Sequence, residues 1–539
     1  MSYDLLRDLY LGAATNADLT TFAHRIKFHV RTPLDRVLLE IVGSGRDVVL
    51  TGNPGDGKSH IVRYLQDRQR LPQCEVELDL SAAPEARVIE RWRRAHEAGR
   101  PLVLCANEGP LKALLPHLEG EPRLAAAGRE LQGQLGHLVA AHPGDLPSEP
   151  GAAVLIDLAD RTLLDPRLVA DAIRGVTTAE FLPEGVSGRE TSAGRNIDLL
   201  GQATSAPERL ARVIALAGQR AGEHISFRQL WAGVSFAICA GKMQSTLRQE
   251  IGLQEDELGA APLDNLMRGN AQGALLRAAR QYADPAEVPM PQLDEDLWAR
   301  GAPASGEWEA DFAPFASPAG AWAQGLHGLA LDRFRSLKRL VTLFHSAGDS
   351  VLDRMEANQD RPGRHADPAL LDLILHGVRR LYLAGADEAG APGWVLQGLP
   401  LWTNHTYQDT PVNARPHVAV TSVPATDLEI RRPVRAPWLA GALGPLPELA
   451  WLHHRPSGIA LPVTDALLAT LRKAAHTPGP LMIPEAIPRF LARLSGWEEG
   501  RGSLGGAMAV LERPRGALLT AATIRAGANG LAYGAADVG

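Results

Sequence analysis

The chain has 539 residues, with 55 Lys and Arg against 62 Asp and Glu, and a formal net charge of −7. Its 45% hydrophobic and 22% charged residues exclude a wholly disordered chain and supply apolar material for more than one core. Mild acidity excludes a global attraction to nucleic acid, and three cysteines (Cys74, Cys105 and Cys239) argue against a disulfide scaffold and fit a reducing cytosol.

At about 150 residues per domain the length predicts three or four domains. The first residues lack the basic-then-apolar order of a signal peptide. No uncharged apolar run reaches the ~18 residues of a membrane helix. A cytoplasmic protein with no membrane contact is expected. Residues 1 to 45 read as helical, with Leu38, Leu39, Ile41 and Val42 forming an apolar stretch. Asp47 to Thr51 is a short β-branched run ending in a glycine loop, and Ile61, Val62 and Leu65 then share a helical face. Further buried strands are predicted at Cys74 to Leu80, Leu102 to Ala106 and Ala152 to Leu158. Helices at Glu85 to Ala98 and Leu111 to Ala141 separate them, and this alternation predicts an α/β fold with a parallel sheet. Residues 206 to 245 read as helices. The Pro-, Gly- and acid-rich stretch Asp284 to Asp311 reads as a linker or exposed excursion. Beyond it lie a helix at Phe334 to Val341, another around Leu370 to Leu383, and a strand at His417 to Ser422. The expected organisation is an α/β core (1–200), a helical lid (201–283), a linker (284–311) and a mixed, mostly helical C-terminal domain (312–539).

Gly52-Asn53-Pro54-Gly55-Asp56-Gly57-Lys58-Ser59 fits G-x-x-x-x-G-K-[ST] at every fixed position. Phosphate oxygens need several inward-pointing backbone N–H groups, and a glycine-rich loop supplies them. Lys58 is placed to reach the β- and γ-phosphates and Ser59 to ligate Mg²⁺, with the dipole of the following helix adding to the attraction. ATP and Mg²⁺ are the expected ligands.

Hydrolysis also needs a group on the metal side and one that positions water. Three strand ends offer carboxylates: Asn107-Glu108, Asp157, and Asp79. Near-equal spacing from Lys58 to Asn107 and on to Asp157 favours Glu108 as catalytic base, Asn107 on the metal side and Asp157 as polar sensor. The rival order makes Asp79 the metal-side acid and Asn107 the sensor. Any of these also suits a capping role. Arg228, in the helix-opening segment Ile225 to Leu230, is a candidate γ-phosphate contact. Arg174, Arg189 and Arg195 are candidates for an arginine finger across a boundary between copies of the chain in a homo-oligomer.

The loop, the Asn-Glu strand end, the polar strand end and the following helices resemble an AAA+ ATPase over about residues 35 to 245. Five phrases resemble a narrower family, the phosphorothioation-dependent restriction ATPases called DptF and similar anti-phage ATPases. They are Gly52 to Ser59, Ala106 to Leu111, Ile156 to Leu158 with Asp160-Arg161, Leu337 to Leu340, and Leu399 to Thr403. That resemblance implies an ATP-driven subunit of a prokaryotic DNA restriction and defence complex. Its partners would be other protein subunits, with DNA reached through them or through local arginine clusters.

A nuclease site of the chain's own is not evident. Of the six lysines only Lys58 has an acid two residues before it, and that lysine belongs to the loop. His405, His417, His453 and His454 lack acids or cysteines at ligand spacing, and no G-x-S-x-G occurs. Basic clusters at Arg91 to Arg94, Arg333 to Arg339 and Arg431 to Arg435 suit either DNA phosphates or intramolecular ion pairs. Two functions follow: an ATPase motor or switch, and a nucleotide-sensing scaffold with little hydrolysis, which Asn107 in place of an acid favours.

Overall fold

The structure, a computed structural model, describes residues 4–11, 25–27, 29–140, 149, 151–178, 191–221, 224–240, 261–268, 273–312, 314–357, 361–382, 398–402, 417–444, 448–476, 483–500, 507–512, 519–527 and 530–535. The chain divides into two compact units. One comprises residues 1–358 with 434–447, and the other 359–433 with 448–539.

The first unit holds a four-stranded parallel sheet in the order β2-β3-β1-β4. Its strands are β1 (Asp47–Thr51), β2 (Glu75–Glu77), β3 (Leu102–Cys105) and β4 (Ala153–Asp157). Every residue of β1 is buried, as a parallel strand covered on both faces requires. Side chains alternate between two cores. Val48 and Leu50 pack with α2 (Pro33–Gly43) and α3 (Lys58–Asp67), through Leu38, Ile41, Val62 and Leu65. Val49 faces the other layer, α4 (Glu85–Glu97), α5 (Glu108–Glu119) and α6 (Ala125–Ala140), through Val88, Trp92, Leu115 and Leu131. Asp47 starts β1 with a buried carboxylate that is fully engaged. It accepts the Trp92 indole N–H at 2.9 Å, the Leu102 amide at 2.7 Å and Nε2 of His96 at 2.7 Å. The short helix Pro437–Leu443 returns to this unit, where Leu439, Ala442 and Leu443 join the core around α2.

A helical layer follows in the same unit: α7 (Pro166–Val176), α8 (Ser192–Gln202), α9 (Ala206–Ala221), α10 (Phe227–Cys239), α11 (Pro262–Arg268) and α12 (Ala274–Tyr282). They share one core with α1 (Asp4–Leu11), in which Leu6, Ile173, Ile214, Val234 and Leu263 are fully or almost fully buried. A capping box starts α10: Ser226 Oγ accepts the Gln229 amide, and Gln229 Oε1 accepts the Ser226 amide at 2.8 Å.

The expected linker is a correction. Residues 284–311 contain α13 (Pro291–Arg300) and aromatic packing around Trp308, and the helices beyond also belong to the first unit. These are α14 (Pro318–Ala323), α15 (His327–Phe344) and α16 (Gly348–Ala357). The acids that suggested exposure are partners of buried cations. Arg339 pairs with Asp264 at 2.6 Å and Asp284 at 2.5 Å, Lys338 with Asp294 at 2.6 Å, and Arg209 with Glu309 at 2.9 Å and Asp349 at 2.8 Å. The boundary between the units therefore falls after residue 358 rather than at 312.

The second unit mixes helices with two antiparallel sheets. A five-stranded antiparallel sheet runs β12-β11-β10-β6-β5, from β5 (Gly398–Trp402), β6 (His417–Pro424), β10 (Ala507–Glu512), β11 (Leu519–Gly527) and β12 (Gly530–Ala535). A three-stranded antiparallel sheet joins β7 (Leu428–Arg431), β8 (Ala450–His454) and β9 (Ala460–Val463). The helices α17 (Asp367–Tyr382), α18 (Asp465–His476) and α19 (Ala486–Gly500) share a core with them through Leu370, Leu401, Leu452, Leu468 and Leu491. Strands such as Leu519–Gly527 are rich in Ala and Gly, so their composition carries a weak β signal. No helix among the described residues is long and apolar enough to cross a membrane.

Candidate functional site

The Gly52–Ser59 loop joins β1 to α3. Gly55 has φ +96°, a region that L side chains rarely adopt, and a Cβ there would stand 2.9 Å from Cβ of Arg228. Lys58 is buried, and its ammonium donates to the carbonyls of Gly52 at 2.9 Å and Asn53 at 3.0 Å. Burial lowers its pKa, opposed by the charges of Asp56, Asp157 and Asp79. The Ser59 hydroxyl donates to the Leu78 carbonyl at the end of β2, at 2.7 Å.

The loop forms one wall of a cavity of about 300 Å³. Leu78 and Asp79 line it from the segment after β2, and Cys105, Ala106 and Asn107 from the end of β3 and the turn beyond it. Phe227, Arg228 and Trp231 contribute from α10, and His29, Val30 and Thr32 from the segment before α2. The first turn of α3 brings backbone N–H groups without intrahelical partners to this wall.

The sheet order separates the strand ends named from sequence. β3 lies directly beside β1, and β2 lies beyond it at the edge. Asp79 lines the cavity, with one carboxylate oxygen capping the Ser81 amide at 2.9 Å. Asn107 also lines it, as the N-cap residue of α5 without a side-chain capping bond. Glu108 does not line it: its side chain is 55% exposed and pairs with Lys112. Asp157 is not a lining residue either, and its carboxylate caps the Ala159 amide at 3.0 Å. Burial raises its pKa, against the Ala159 hydrogen bond.

Arg228 faces the cavity, and its amide donates to the Gly55 carbonyl at 3.3 Å. Of the finger candidates, Arg174 is exposed and pairs with Asp171 and Glu208, Arg195 lies on α8 away from the cavity lining, and Arg189 lies outside the described residues. The basic clusters meet acids within their own unit. Arg91 pairs with Glu77 at 2.7 Å, Arg93 and Arg94 with Glu90 at 2.7 Å, and Arg432 with Asp367 at 2.7 Å.

Sequence reasoning missed the residues that surround the loop. Arg161 is buried and donates to the Asp56 backbone carbonyl at 2.7 Å, and burial lowers its pKa to about 10. His224 sits 2.6 Å from the Asp56 carboxylate. His29, also in the cavity lining, stacks on Tyr64 with ring centroids 3.5 Å apart, and pairs with Asp35 at 2.7 Å. Next to it, burial pushes the His60 imidazole down to about 4. Apart from Arg161, which falls in the Asp160-Arg161 phrase, these residues form no local motif. Among the described residues, no group of three or more His, Cys, Asp or Glu is placed to hold a metal ion by itself. No family model and no curated protein matches the chain, and no solved structure matches its fold.

Proposed function

We propose that the chain is a P-loop ATPase of the AAA+-like type, binding Mg-ATP between its α/β layer and α10 and hydrolysing it. One observation carries this reading. The Gly52–Ser59 loop connects a buried parallel strand to a helix N-terminus that opens on a cavity of about 300 Å³, with Lys58 in its wall. Small-molecule sites begin at about this size.

The loop's own residues suit a triphosphate. Lys58 has three N–H donors, two of which go to Gly52 and Asn53, and the third is left for a phosphate oxygen. The amides of the first turn of α3 add further donors and a positive dipole end. Ser59 gives its hydrogen to Leu78 and keeps oxygen lone pairs for a cation, beside the Asp79 carboxylate. This hydroxyl and carboxylate next to an anion cradle fit Mg²⁺, which sites of this kind hold with few protein ligands and several phosphate and water oxygens. Bound there, the ion supplies neutralisation of phosphate charge.

Asp79 rather than Glu108 is the acid of the site in this reading, because it is the carboxylate that lines the cavity. Asn107 and Arg228 are left as polar and cationic contacts to the terminal phosphate. The resemblance to restriction ATPases supplies the wider setting: ATP rather than GTP as substrate, and a motor or switch working with other protein subunits on DNA in prokaryotic defence.

The exposed position of Glu108 favours a second reading, a nucleotide-binding scaffold that turns over slowly or not at all. Equilibrium binding of Mg-ATP and Mg-GTP, followed by phosphate release with and without double-stranded DNA, tests both. Binding with sustained, DNA-stimulated release supports the motor. Binding without release supports the scaffold, and absence of binding overturns both.

A further inference from the structure

Asp56 is the acidic residue of the loop, and it is fully buried. A negative charge two residues from Lys58 opposes the binding of an anion, so what holds this carboxylate matters. One of its oxygens accepts the Asn53 amide at 2.7 Å, bracing the loop from within. The other lies 2.6 Å from Nε2 of His224. With the carboxylate as acceptor, Nε2–H of His224 is the donor of this hydrogen bond.

His224 stands three residues before α10, and the residues after it grip the same stretch of loop. The Arg228 amide donates to the Gly55 carbonyl at 3.3 Å. The Phe227 ring comes within 3.3 Å of where a Cβ on Gly57 would stand. Arg161, from the turn after β4, holds the Asp56 carbonyl and rests its guanidinium 4.8 Å from the centre of the Phe227 ring. Three consecutive loop residues, Gly55 to Gly57, are therefore held by the entry to one helix.

We propose that His224 is a positioning residue that clasps the loop through Asp56, so that the conformation of the loop and the placement of α10 change together. The grip consists of contacts within the chain. Its use, passing the filling of the loop on to the helical layer, rests on the nucleotide reading. Any shift of the loop amides toward phosphates moves the Asn53 amide, and with it the carboxylate that His224 holds.

Hydrogen–deuterium exchange on the full chain tests this in the wild type, H224A, H224Q, D56N and the D56N/H224A double variant. Without ligand, H224A is expected to speed exchange over residues 53–60 at least threefold, and D56N to speed it over residues 227–239. The double variant should exceed neither, and H224Q, whose amide N–H reaches the same oxygen, should restore wild-type protection. With Mg-ATP the wild type should gain protection in both segments and H224A in the loop alone. Unchanged exchange over 53–60 in H224A, additive effects in the double variant, or no rescue by H224Q overturns the clasp. If H224A does not fold, D56N and H224Q decide the matter by the same criteria. A wild type that shows no response to Mg-ATP overturns the nucleotide reading, while the ligand-free comparison still decides the clasp.

Discussion

The hydroxyl of Ser59 donates to the carbonyl of Leu78 across 2.7 Å, fastening the helix that follows the loop to the end of β2. The next residue, just past β2, is Asp79, which also lines the cavity, whereas Glu108 opens α5 in solvent. D79N is expected to lower ATP turnover by about 100-fold, the usual scale for removing one charge-stabilising group. E108Q should leave turnover within about threefold, since the side chain is exposed, pairs with Lys112 and does not line the cavity. Steady-state phosphate release separates the two, and loss of turnover in E108Q alone would restore Glu108 as the base.

Lys58 is the cation in the loop. K58A is expected to weaken Mg-ATP binding by about 10- to 100-fold, since hydrogen bonds to charged groups contribute ~1.5–3 kcal/mol. Titration calorimetry measures it, and unchanged affinity would remove the loop from the binding site.

Gly55 adopts φ +96° against Cβ of Arg228. G55A combines a left-handed backbone with a 2.9 Å contact and should destabilise the first unit by about 1–3 kcal/mol. A shift of the urea midpoint reads this out, and a neutral substitution would mean that the loop and α10 are not in contact.

Two histidines pull stability in opposite directions with pH. His60 has its folded pKa depressed to about 4 by burial, from 6.5, so its contribution is complete above pH ~6.5 and is lost as pH falls toward 4. The full swing is on the order of 3 kcal/mol. His96 has its pKa raised by its hydrogen bond to Asp47, so its contribution is complete below pH ~6.5 and is lost as pH rises through the folded value. In stability–pH curves, H60Q should flatten the acid side and H96Q the neutral side. Curves that keep the wild-type shape refute the assignments.

The Arg339–Asp264 pair is almost wholly buried. R339A leaves the Asp264 carboxylate in the interior with one partner fewer and should cost about 3–5 kcal/mol. Loss of cooperative unfolding of the helical layer is the expected signature in chemical denaturation, and a change below 1 kcal/mol would put residues 312–358 outside that layer.

The Gly52–Ser59 segment was legible as a strand-to-helix connection because it lies between an apolar run and a helical pattern. The strands of the parallel sheet were legible from their buried runs, but their order was not, because periodicity says nothing about which strand neighbours which. That gap is what left Glu108 and Asp79 as rival acids. The stretch 284–311 was misread because Asp284, Asp294 and Glu309 look like solvent-facing acids until their buried cations, Arg339, Lys338 and Arg209, are brought beside them. His224 was invisible for the same reason: its partner Asp56 is 168 residues away along the chain.

The return of residues 434–447 to the first unit has a practical side. The polypeptide passes between the two units three times, and Pro437–Leu443 gives apolar side chains to the layer around α2 only after the second unit has begun. A gene fragment ending at residue 358 would therefore yield a polypeptide with greasy surface laid bare over α2. A protease cut near residue 358 would leave both halves tethered. Dissection of this molecule has to proceed by internal excision and rejoining rather than by shortening from one end.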